Sequence, residues 1–88
     1  MQNVNEELLK NNLARNMRCL RLRRSPRMSQ AMLAKKLGVP QKSITRYETA
    51  KNLPPAHILL AMADYFGFTT EELLSEKLPA KKGMKSNE

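Results

Sequence analysis

The chain predicts an all-α domain of five helices, and three observations carry that expectation. Apolar residues recur at helical spacing through Leu9, Leu13, Met17 and Leu20, and again through Ile58, Leu59, Met62, Ala63 and Phe66. Helix-breaking residues punctuate the chain at Ser25-Pro26, Gly38, Asn52-Leu53-Pro54-Pro55 and Gly67. No run alternates apolar and polar residues as a half-buried strand would, and no repeat or low-complexity block interrupts the pattern.

The first helix should run from about Glu6 to Arg24, with a weak point at Asn11-Asn12. Asn5 can cap it, and Glu6 and Glu7 suit the positive end of its dipole. Pro26 ends it by forcing the preceding residue out of the helical region. Ser29 caps a second helix whose Leu33, Ala34 and Leu37 face inward, and Gly38 supplies the left-handed turn that stops it. Val39 is a buried hinge, and Pro40 opens a third helix with Ile44 and Tyr47 inside. Two prolines then introduce the fourth helix, which ends at Gly67 with Phe68 plugging the core. Thr69 or Thr70 caps a short fifth helix, with Glu71 and Glu72 in its first turn and Leu73-Leu74 buried.

Bulk properties narrow the function. Eighty-eight residues make one small domain, and a formal net charge of +8 favours a polyanionic partner. Glu48 is the only acidic residue between Lys10 and Lys51, a span that holds twelve lysines and arginines. No segment approaches the ~20 apolar residues of a spanning helix, so no membrane is expected. The N-terminal residues lack the basic start and apolar core of a secretory signal. Cys19 stands alone, which excludes an intramolecular disulfide and suits a cytoplasmic, nucleoid-associated protein. His57 has no second ligand at metal-binding spacing, and Cys19 reads as an ordinary helix residue. The chain carries no phosphate loop and no nucleophile–base constellation; neither enzyme activity nor a cofactor is expected.

The stretch from Ser29 to Glu48 is the most informative. Two short helices joined at Gly38, the second opening with polar side chains free to point outward, make a helix-turn-helix. The second helix of such a unit enters the DNA major groove. Gln41 suits adenine, Lys42 and Arg46 suit guanine, and Ser43 and Thr45 can bond bases or phosphates. RNA is disfavoured because aromatic residues make up 5% of the chain and none falls on the basic face. Arg18, Arg21 and Arg24 form a line on the first helix that either grips phosphates or is simply solvated.

These residues resemble the XRE/Cro-type helix-turn-helix family, the fold of the lambdoid phage repressors. The resemblance rests on Arg23, Ser29-Gln30, Leu33-Ala34, Leu37-Gly38-Val39, Ile44, Arg46-Tyr47-Glu48, Lys51, Pro54, Phe66-Gly67 and Glu72-Leu73-Leu74. It implies a lambda-repressor-like DNA-binding domain over residues 13–76. Residues 1–12 would then extend the first helix, and residues 77–88 would form a basic disordered tail. It implies base contacts from Gln41, Lys42, Thr45 and Arg46, and backbone contacts from Ser29, Gln30, Ser43, Lys51 and Asn52. It also implies a structural salt bridge between Arg23 and Glu48, and no metal.

Two positions depart from the family pattern. Ala50 stands where glycine is common, so the loop there should be rerouted, and Met32 places a large apolar side chain at a surface position. The function implied is a sequence-specific binder of double-stranded DNA, a transcriptional regulator of repressor type from a phage or mobile element. A homodimer on a pseudo-palindrome is expected, with Leu73, Leu74, Leu78 and Phe68 as its seam. The alternative is an antitoxin or adaptor that uses the same fold mainly to hold a protein partner, onto which Lys81, Lys82 and Lys85 could order.

Overall fold

The computed structural model describes residues 5–24 and 26–79. Five α-helices follow in order: α1 (Glu6–Arg23), α2 (Gln30–Leu37), α3 (Gln41–Glu48), α4 (Ala56–Phe66) and α5 (Thr70–Leu73). The all-α, five-helix bundle is consistent with the lambda-repressor-like helix-turn-helix fold. The expected tail lysines 81, 82 and 85 lie outside the described residues.

Local chemistry sets most helix ends. Asn5 caps α1 by accepting from the Leu8 N–H at 2.8 Å, and Ser29 caps α2 by accepting from Met32 at 3.1 Å. Thr69 and Glu72 form a reciprocal capping box at the start of α5. Pro40 and Pro55 sit one residue before their helices, where a missing N–H costs nothing. Gly38 and Gly67 adopt φ values of 71° and 80°, the left-handed conformation that ends α2 and α4.

The weak point expected in α1 at Asn11-Asn12 is absent. The Asn12 amide donates to the Leu74 carbonyl at 2.9 Å, so it does not compete with its own backbone. The helix also stops one residue earlier than expected, since Arg24 already has extended backbone. Ala50 is a second correction. It takes φ 61° itself, so the turn after α3 keeps a left-handed residue despite the added Cβ instead of being rerouted.

Leu13, Met17, Leu33, Ile44, Met62 and Leu73, drawn from all five helices, are the largest fully buried side chains. Each contributes roughly 1.5–3 kcal/mol through burial. Val39, expected as a buried hinge, and Phe68 are half-buried and pack on this core. Leu73 cannot serve the dimer seam expected of it, since it is fully enclosed, and Leu74 and Leu78 pack against the same core. Leu8, placed beside the first apolar stripe, is exposed, as are Leu22, Met32 and Leu60.

A set of polar residues on α1 closes the far end of the bundle. Asn16 donates to the carbonyls of Leu73 (2.8 Å) and Ser75 (2.9 Å). With Asn12 on Leu74 and Arg15 on the Glu76 carbonyl, α1 satisfies four carbonyls, that of the last residue of α5 and those of the three residues after it.

Candidate nucleic-acid interface

The pairing of α2 and α3 fixes the angle at which α3 meets solvent. Ile44, Tyr47 and Glu48 are the buried residues of α3 and hold it down. Gln41, Lys42, Thr45 and Arg46 are all exposed, one helical turn apart in pairs, and form a polar row on the opposite side. Ser43 is half-buried at the edge of the row. Lys51 and Asn52 are exposed in the loop that follows, and Ser29 is exposed at the start of α2. The structure therefore brings the expected base-facing residues onto one helix face, with the expected phosphate-facing residues beside them.

Glu48 is buried, and its partner is Arg21. The Arg21 guanidinium donates from Nε to Oε2 and from Nη2 to Oε1, both at 2.7 Å. A third Arg21 bond reaches the Met28 carbonyl at 2.9 Å. The expected pair of Arg23 with Glu48 is thereby corrected. Arg23 is exposed, because Arg21 lies only ~40° around the helix from the buried Met17 while Arg23 lies ~120° away on the other side. The hydrogen bonds to Glu48 outweigh the burial penalty and raise the Arg21 pKa above its ordinary value. Arg21 likewise leaves the expected phosphate-facing line on α1, where Arg18 and Arg24 remain exposed. Arg24 stacks over the Tyr65 ring at 5.1 Å.

The ion pair extends outward to the polar row. Gln30 donates from Nε2 to Glu48 Oε1 at 3.0 Å and accepts from the Thr45 hydroxyl at 2.8 Å. Five groups on α1, α2, α3 and the loop after α1 thus form one connected network: the Met28 carbonyl, Arg21, Glu48, Gln30 and Thr45. Arg46 makes a separate pair, donating from Nε to Asn52 Oδ1 at 2.5 Å. That bond uses the Asn52 carbonyl and leaves donors outward: the Arg46 terminal nitrogens and the Asn52 amide. Donors suit phosphate oxygens and guanine acceptors.

Comparison with known families matches residues 13–76 to a helix-turn-helix domain. This chain belongs to the helix-turn-helix DNA-binding family. No curated protein and no solved structure matches it. The matched residues take in both α2 and α3, the two helices joined at Gly38, together with the exposed row on α3. No helix among the described residues is long and apolar enough to cross a membrane, and no described cluster of His, Cys, Asp or Glu has metal-holding geometry.

Sequence reasoning gives Arg21 and Asn12 other roles and misses Asn16. The first was legible from its angle on the α1 wheel. The two asparagines bond backbone carbonyls at the end of α5, and a backbone acceptor carries no sequence signature.

Proposed function

We propose that this helix-turn-helix protein is a sequence-specific transcriptional regulator of double-stranded DNA, of repressor type and from a phage or mobile element. Helix α3 reads base edges in the major groove through Gln41, Lys42, Thr45 and Arg46. Ser29, Gln30, Ser43, Lys51 and Asn52 hold the phosphate backbone. The observation that carries this reading is the exposed row on α3 set against its three buried anchors. The net charge of +8 supports it, since phosphate neutralisation drives binding and makes it steeply salt-dependent. One short helix spans few base pairs, so two copies act together on an inverted repeat, in the cytoplasm. Repression follows from occupying an operator that overlaps a promoter.

Selection of random duplexes by the purified protein at near-physiological salt tests this. The expected result is an enriched inverted repeat with half-sites about 34 Å apart, one turn of DNA. No enrichment, with binding that vanishes as salt rises, would leave only electrostatic attraction and would favour an antitoxin or adaptor that holds a protein partner.

A further inference from the structure

We infer that Thr45 reads its base as a hydrogen-bond acceptor only, and so selects a base with an exocyclic amino group in the major groove: adenine N6 or cytosine N4. This rests on the DNA-reading proposal above and specifies what one of its residues recognises. The polarity originates at the buried ion pair. Glu48 as a carboxylate has no hydrogen to give, and it receives Nε and Nη2 of Arg21 and Nε2 of Gln30. The Gln30 amide must therefore turn its NH2 toward Glu48, which leaves Oε1 facing Thr45. An amide oxygen can only accept, so the single hydroxyl hydrogen of Thr45 is committed to Gln30 at 2.8 Å.

The second protein group near that hydroxyl is the Gln41 carbonyl at 3.4 Å, which is also an acceptor. Both of these internal neighbours draw the hydrogen inward. What Thr45 has left, at an exposed site on the groove-facing row, is oxygen lone pairs and a methyl group. In the major groove, adenine N6 and cytosine N4 are the donors such an oxygen can accept from, whereas guanine O6 and N7 and thymine O4 are acceptors. A free threonine would be indifferent between them. This one is not, and Gln30 is the positioning residue that makes it so.

The test crosses a change in the protein with a change in the DNA. In the duplex enriched by the wild-type chain, each adenine is replaced in turn by purine, which lacks only the N6 amino group. Each cytosine is replaced by its analogue lacking the N4 amino group. Affinities are measured for the wild type, Thr45→Val and Thr45→Ser, with helical content checked by circular dichroism. At one position per half-site, loss of the amino group is expected to weaken the wild type and Thr45→Ser roughly fivefold, the worth of one neutral hydrogen bond. Thr45→Val, which keeps the shape without the oxygen, is expected to be insensitive there. If Thr45→Val responds to amino-group deletion as the wild type does at every position, the inference is overturned while the DNA-reading proposal stands. If the wild type enriches no sequence, both fall together.

Discussion

Helix α1 carries two polar networks, one at mid-helix and one near its C-terminal end, and they solve different problems. At mid-helix, Asn12, Arg15 and Asn16 donate to backbone carbonyls at and just after the end of α5. Near its finish, Arg21 enters a buried carboxylate and, through Gln30, reaches the exposed Thr45. The first network ends in main chain and only closes the fold. The second ends at the surface and fixes the direction in which the exposed Thr45 hydroxyl donates its hydrogen. What separates the two networks is where each chain of bonds ends: one stops in main chain, the other at an exposed side chain on α3.

The contrast is broken most severely at Glu48. Glu48→Ala leaves the buried Arg21 without its counter-charge and should cost about 3–5 kcal/mol in a urea titration. Arg23→Met, on the exposed side of the same helix, should change stability by no more than about 0.5 kcal/mol. Equal effects of Glu48→Ala and Arg23→Met would remove the ion pair from its place in the fold.

Asn16→Ala comes next. It strands the carbonyls of Leu73 and Ser75, and a loss of about 2 kcal/mol is expected by the same titration. Base preference in duplex selection should be unchanged, since this network stops short of α3. A shifted preference would show that the two networks on α1 are not separate.

A smaller effect of opposite sign is expected at Ala50. A residue with a Cβ at φ 61° is strained by about 1–2 kcal/mol, and glycine relieves this while adding freedom to the unfolded chain. Ala50→Gly should therefore stabilise by about 0.5–1 kcal/mol, read as a higher urea midpoint at unchanged slope.

The fold was legible because its signals are local. Ser29, Gly38, Thr69 and Gly67 act within one turn of themselves, and the apolar stripes of α1 and α4 state which face is inside. The exposed row of α3 was legible for the same reason, as the complement of Ile44 and Tyr47. The partner of Glu48 lies two residues from the position the family pattern implies, because the angle around α1 decides which arginine reaches the interior. The resemblance pointed to Arg23, while ~100° per residue puts Arg21 beside Met17 on the buried side. The links from Gln30 to Thr45 and from Asn16 to the end of α5 join residues far apart in sequence through single hydrogen bonds, and no periodicity announces such contacts.

Division of labour between α3 and the loop after it is the claim on which the functional reading turns. Its most direct measurement is the affinity of the wild type, Gln41→Ala and Lys51→Ala for the selected operator and for an unrelated duplex, across a range of salt. Gln41→Ala should lose about 1–3 kcal/mol on the operator and nothing on the unrelated duplex. Lys51→Ala should weaken both equally and lower the salt slope by about 1. If Gln41→Ala weakens both duplexes alike, α3 grips the backbone instead of reading bases, and the recognition assigned to it is wrong.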